Sequence, residues 1–183
     1  MACTFRDHVK DREKMAEMNV LLLADTHLHE GQAARLVDRL GDRLETADVI
    51  IHAGDITDES VLTALEEFAP VRAVLGNNDR GMILPERFVV ELGGCEIAAV
   101  HDSGPTGGRT ARLRRWFPQA DVVVFGHSHI PWHQIDVRPA DGHVQHHVNP
   151  GSASQRRTAP HHTAAILQLH DGIVSNVSHV VLE

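Results

Sequence analysis

Cysteine is scarce in this chain. Cys3 falls in a charged N-terminal stretch and Cys95 in an apolar one, which excludes a disulfide framework and predicts two free thiols. Long apolar runs are missing too, so no membrane helix is expected. Residues 1–18 alternate charges without the apolar stretch of a secretory leader. They predict an N-terminal tail ahead of a single domain over residues 19–183, in a cytoplasmic protein. Basic charge is in deficit: 17 lysines and arginines stand against 25 aspartates and glutamates, a formal net charge of −8. With aromatics at 4% and no basic or aromatic segment, strong nucleic-acid binding is not expected and a nuclease is disfavoured. A small phosphate substrate stays open, because bound cations reverse the local field of an acidic site. Internal repeats, low-complexity tracts and interdomain linkers are absent.

What the chain does have is a globular composition, 42% hydrophobic and 23% charged, and 15 histidines. Its 183 residues suit one domain with a sizeable core. Histidine is the commonest metal ligand and a frequent acid–base group, so its positions matter more than its number.

Val20-Leu21-Leu22-Leu23 is a short apolar run ending in Ala24-Asp25 and predicts a buried strand. Ala33, Leu36, Val37 and Leu40 recur at helical spacing within residues 32–44. A second strand over 48–51 leads to Gly54-Asp55. Asp58 has the place of a helix N-cap, with Val61, Leu62, Leu65 and Phe68 on one face before Pro70. A third strand, 71–75, ends in Gly76-Asn77-Asn78-Asp79. Strand–helix–strand–helix–strand implies parallel strands with right-handed crossovers. Three strand ends, with the acidic and amide residues on them, then meet at one sheet edge.

The second half differs. Strands are expected over 87–92 and 95–100 about a Gly93-Gly94 turn, then a helix over 109–117 and a strand over 121–125 ending at Gly126-His127. Strands over 132–137, 144–148, 163–169 and 173–181 follow, with turns at Asp141-Gly142 and Asp171-Gly172. These hairpin-linked strands predict a second, largely antiparallel or mixed sheet. The expected fold is α/β, a four-layer αββα sandwich of two mixed sheets with outer helices.

Asp25-Thr26-His27 sets a carboxylate and an imidazole two residues apart, on one side of an extended chain, at a strand end. Gly126-His127-Ser128-His129 does the same with two imidazoles, and His101 closes the strand 95–100. Asp25, His27, Asp55, Asn77, His101, His127 and His129 all fall at or just past strand ends. Mixed nitrogen and oxygen donors suit Mn, Fe, Co, Ni or Zn better than Ca or Mg. Seven donors are too many for one tetrahedral ion with an open position. Two ions sharing a carboxylate would use them.

The ordered set D-x-H, G-D, G-N-N-D, a lone His and G-H-S-H resembles the calcineurin-like metallophosphoesterase superfamily. Asn149-Pro150-Gly151-Ser152 resembles the N-P-G-S motif of its small bacterial and archaeal phosphodiesterase branch. The resemblance implies that Asp25, His27 and His129 hold one ion and Asn77, His101 and His127 the other, with Asp55 bridging. It implies two divalent cofactor ions, manganese first, with nickel, iron, cobalt or zinc able to serve. Asp55, His101 and Asn78 would take catalytic roles around attack of a metal-bridging hydroxide on a phosphate ester.

In many relatives a His follows the ligand Asn and protonates the leaving group. This chain has Asn78 there, whose amide is no general acid near neutral pH. Members of the phosphodiesterase branch often carry Cys or Asn at that position, so a phosphodiesterase is expected ahead of a monoesterase. Asn78 would donate a hydrogen bond to the phosphate, and protonation would fall to water or a loop histidine. Arg156 and Arg157 are candidate phosphate contacts. His29 and His133 flank motif loops, Asp102 begins a turn or orients His101, and His52 is expected as a hydrogen-bonded core residue. A different class of reading is a protein-binding scaffold resembling the retromer subunit Vps29. Degraded ligands would favour it, and here all seven positions carry competent donors. The expected partner is a small phosphate ester, with no membrane and a homo-oligomer left open.

Overall fold

The computed structural model describes residues 17–183. Most of the expected tail and Cys3 lie outside them, whereas Met18, which the charge pattern assigns to the tail, opens the first strand. In chain order the elements are β1 (Met18–Leu23), α1 (Ala33–Leu40), α2 (Asp42–Glu45), β2 (Val49–His52), α3 (Glu59–Glu66), β3 (Val71–Ala73), β4 (Arg87–Leu92) and β5 (Cys95–Val100). Then come α4 (Arg109–Trp116), β6 (Val122–Val124), β7 (Trp132–Val137), β8 (Val144–Asn149), β9 (His162–His170) and β10 (Ile173–Leu182).

The helix expected over 32–44 is broken in two. Gly41 adopts φ 53° and ends α1 by donating its N–H to the Val37 carbonyl, while its own carbonyl receives the Leu44 N–H that starts α2. Apolar spacing continues through that break, which is why periodicity alone misses it. Asp58 caps α3 as expected, its carboxylate accepting the Ser60 N–H at 2.9 Å.

Two five-stranded mixed sheets result, one in the order β10-β9-β1-β2-β3 and the other β4-β5-β6-β8-β7. The last hairpin does not extend the second sheet, as its position in the chain suggests, but returns to the first. There β9 runs antiparallel to β1, pairing Leu21 with Ile166, and β10 forms the edge beyond it. Strands β1, β2 and β3 are parallel, and so are β5, β6 and β8.

Alternation along β1 explains the layers. Val20 and Leu22 face the other sheet, where Ile97, Val122, Val124 and Val148 meet them in a buried core. Leu21 and Leu23 face the opposite way, under Leu36 and Leu40 of α1 and Leu65 of α3. On the far side, Leu113 and Phe117 pack over Ala98, Val123 and Phe125. Central strands apolar on both faces have to be covered twice, which yields four layers, αββα.

Leu22 is fully buried between the sheets. Leu22→Ala should cost about 2–5 kcal/mol, read as a lower denaturant midpoint at unchanged slope. A loss well under 1 kcal/mol (about the scale of a surface change) would contradict the inter-sheet core.

Candidate metal centre

Loops after the parallel strands of both sheets converge at one edge. The β1 and β2 loops are zipped together, Asp25 N–H donating to the Gly54 carbonyl and His27 N–H to the Asp55 carbonyl, each at 2.9 Å. The β5 and β6 loops are joined by the Gly126 N–H on the His101 carbonyl at 2.9 Å. His127 N–H then crosses between sheets to Asp25 Oδ1 at 3.1 Å. Glycine is needed at Gly54, where φ is 86° and a Cβ would stand 2.8 Å from Gly76 N.

Side chains at these loops sit on unusual backbone. Asp25, His27, Asp55, His127 and His129 all have φ between 42° and 71°, in the left-handed region. Such residues cost about 1 kcal/mol or more each and persist only where neighbours over-determine them. The neighbours are identifiable. Asp79 is buried; its Oδ2 accepts Asp55 N–H at 2.9 Å and Gly76 N–H at 2.7 Å, and its Oδ1 accepts Thr57 N–H at 2.7 Å. Ser152 Oγ donates to the Asp25 carbonyl at 2.7 Å, Ser154 Oγ to the Thr26 carbonyl, and Asn149 Nδ2 to the Gly126 carbonyl at 2.9 Å. The Asn-Pro-Gly-Ser segment thus clamps both donor loops. Neither its role nor that of Asp79 follows from residue type; only their place inside motifs hints at it.

The seven expected donors meet here. His27 Nε2 and His129 Nε2 stand 3.1 Å apart, and Asp25 Oδ1 lies 4.0 Å from the first and 3.5 Å from the second. On the other side Asn77 Oδ1 lies 3.1 Å from His101 Nε2 and 3.0 Å from His127 Nδ1. Between the two groups, Asp55 Oδ2 is 3.3 Å from His27 Nε2 and 3.4 Å from His101 Nε2. Backbone carbonyls set the tautomers. His101 Nδ1–H donates to Ala53 O at 2.7 Å and His129 Nδ1–H to Gln155 O at 2.5 Å, which turns each Nε2 lone pair into the cluster.

The electrostatics fit cations. Burial, with the nearby Asp55 charge adding, raises Asp25 to about 7, and its Oδ2 is buried without a hydrogen-bond partner. Burial also works against ionised Asp55, but hydrogen bonds from His101 and Asn78 hold it well below the ordinary carboxylate range. Burial lowers His27, and lowers His129 to about 4. His101 is raised, its burial outweighed by the Asp55 and Ala53 contacts. An orphaned carboxylate oxygen beside two imidazoles whose burial disfavours their charged form, His27 and His129, is a set that divalent ions satisfy.

The other expected residues divide. Asn78 is tied to Asp55, its backbone N–H and its Nδ2 donating at 2.8 and 2.7 Å, while the residue is exposed and its amide keeps a second N–H. Arg157 stays at the rim, donating to the His127 carbonyl at 3.2 Å, whereas Arg156 turns to the Pro160 carbonyl. Asp102 forms a turn, accepting the Gly104 N–H. His133 lies away on β7 against His146, at 3.1 Å between ring nitrogens. His52 is fully buried with Nε2 3.1 Å from Thr26 Oγ1, bracing the loop between Asp25 and His27. Cys95 is a buried free thiol. Among the described residues no helix is long and apolar enough to cross a membrane.

Several known proteins resemble this chain. A model of the calcineurin-like phosphoesterase superfamily domain matches residues 18–172. A "Probable metallophosphoesterase" of Methanothermobacter thermautotrophicus is 32% identical over 144 residues, covering 76% of this chain and 80% of that one. The "Probable metallophosphoesterase YsnB" of Bacillus subtilis is 30% identical over 159 residues, 84% of this chain and 86% of the relative. Vacuolar protein sorting 29 of Cryptosporidium parvum superposes with a TM-score of 0.68 at 18% identity, over 90% of this chain and 98% of that one. A structure described as a novel archaeal phosphodiesterase gives 0.66 at 22% identity, over 90% and 100%. At such identities these two structures establish a shared fold.

Burial lowers His52 from 6.5 to about 3, with His101 adding to the effect. The folded state therefore binds fewer protons than the unfolded one, and this contribution to stability is lost as pH falls from about 6.5 towards 3. Asp25 opposes the trend between its ordinary value and about 7, equally in wild type and variant. His52→Gln should lose less stability than wild type between pH 7 and pH 5 in metal-free denaturation curves (a window set by the shifted imidazole). Parallel pH dependences would contradict a neutral buried His52.

Proposed function

The chain belongs to the calcineurin-like phosphoesterase superfamily, a family of metallophosphoesterases, and on that premise we propose that it hydrolyses small phosphodiesters with two divalent ions. The observation that carries this reading is the position of Asp55 Oδ2 between two donor triads, within 3.4 Å of a histidine from each. Asp25, His27 and His129 would hold one ion, Asn77, His101 and His127 the other, and Asp55 both. Manganese suits this mixture of donors, as do iron, cobalt, nickel and zinc. When bound, the ions would make water nucleophilic near neutral pH and neutralise charge on the phosphoryl oxygens.

The chain's own groups do the rest. Asn78 restrains Asp55 through two hydrogen bonds and so orients the shared carboxylate, and the second N–H of its exposed amide is left to donate to a phosphoryl oxygen. Its amide supplies no proton to a leaving group near neutral pH. Diesters that offer weakly basic leaving groups therefore suit the site better than alkyl monoesters. The archaeal phosphodiesterase with this fold supports the same preference. Arg157 stands beside His127 at the rim, where a guanidinium can hold a phosphoryl oxygen. A complete donor set favours catalysis over a scaffold role.

Asp55→Ala should lose bound metal and lower turnover of bis(p-nitrophenyl) phosphate by about 100- to 1,000-fold or more. Wild-type turnover that survives chelation would reject the mechanism. Asn78→His should raise activity toward diesters with poorer leaving groups by about tenfold or more relative to bis(p-nitrophenyl) phosphate. An unchanged profile in folded, metal-loaded variant would show that the missing acid does not set the preference.

A further inference from the structure

Two cavities open onto the donor cluster from opposite sides, and their linings differ in charge. One, of about 390 Å³, reaches Asn77, His101 and His127 and carries Glu86 and Asp102. The other, of about 360 Å³, reaches His27 and lies between Gln32, Arg35 and Arg39 on one wall and Ser154 and Gln155 on another. No aspartate or glutamate among the described residues lines the second cavity, in a chain whose formal charge is −8. Arg35 and Arg39, at i and i+4, share one face of α1, and Gln32 precedes them as its N-cap residue.

These cations are largely uncommitted. Arginine ion pairs among the described residues involve Arg114 and Arg138, and neither Arg35 nor Arg39. Arg39 donates one N–H to the Ala153 carbonyl at 2.8 Å, and Arg35 is exposed. Gln32 accepts the His29 N–H at 3.1 Å through its carbonyl, which leaves its amide hydrogens available.

We propose, resting on the phosphodiesterase reading, that the α1-side cavity is a subsite for a second phosphate, so that the preferred diester carries a phosphomonoester beside the bond that is cleaved. A phosphate dianion can accept from two guanidinium forks at once, which a neutral aryl or alkyl group cannot. The Glu86 and Asp102 side repels such a group, so the substrate's direction across the cluster is fixed. Its phosphorylated end lies toward Arg35 and Arg39, and its uncharged remainder toward β4 and β5.

The test compares thymidine 5′-(p-nitrophenyl phosphate) with the same diester bearing a 3′-phosphate, both with added Mn²⁺. Wild type should prefer the 3′-phosphorylated diester by about tenfold or more in kcat/KM, through KM. Arg35→Gln, and separately Arg39→Gln, should bring that preference toward unity while turnover of the unphosphorylated diester stays within about twofold. No preference in wild type, or a preference intact in both variants, overturns the subsite. Turnover of bis(p-nitrophenyl) phosphate tests the underlying activity independently. Should that fail, calorimetry with thymidine 3′,5′-bisphosphate and thymidine 5′-monophosphate still decides: tighter binding of the bisphosphate, lost in Arg35→Gln, supports the subsite. Equal affinities overturn it.

Discussion

The Asp55 carboxylate has to face histidines from two different sheets at once. One oxygen lies within 3.4 Å of both His27 and His101, and a carboxylate buried to that degree is tolerable only when its surroundings favour the ionised form. Asn78 and His101 supply that environment, while Asp79 fixes the backbone on either side of it. The two sheets must then stack so that the ends of β1 and β2 meet the ends of β5 and β6. The dry core of Val20, Leu22, Val122 and Val124 holds that registration. Packing and chemistry are thus one constraint, because a shift of one sheet over the other would open the gap at Asp55.

Local periodicity reveals most of this architecture. Strands β4, β5 and β7 follow from apolar runs and turn residues, and Asp58 is recognisable as a helix cap from its place before the run Val61, Leu62, Leu65. The donors are legible for a different reason: strand ends of parallel sheets are where loops carry chemistry, and seven candidate ligands fall there. Two features are not legible from periodicity. The break at Gly41 leaves the apolar spacing intact, so periodicity does not mark it, and the glycine after Leu40 is its one signal. The return of β9 to β1 is a long-range pairing, which local periodicity does not encode.

Buried polar groups explain why the motif residues outside the donor cluster are as necessary as those within it. Asn149, Ser152 and Ser154 place side-chain donors on the carbonyls of Gly126, Asp25 and Thr26, backbone groups that the left-handed turns remove from the sheet ladders. Their contribution is mechanical, and composition cannot reveal it, since serine and asparagine are ordinary loop residues.

Left-handed backbone at Asp25, His27, Asp55, His127 and His129 also bears on how such a chain can change over generations. At each of these positions glycine would release strain of about 1 kcal/mol while the inter-sheet core stayed untouched. For Asp25 and Asp55 that gain is set against the backbone N–H groups of His127 and Asn78, which would lose their acceptors, whereas His27 and His127 anchor no backbone through their side chains. A lineage freed from selection on this cluster can shed His27 or His127 and keep a stable sandwich, while the two aspartates hold backbone that the fold still needs.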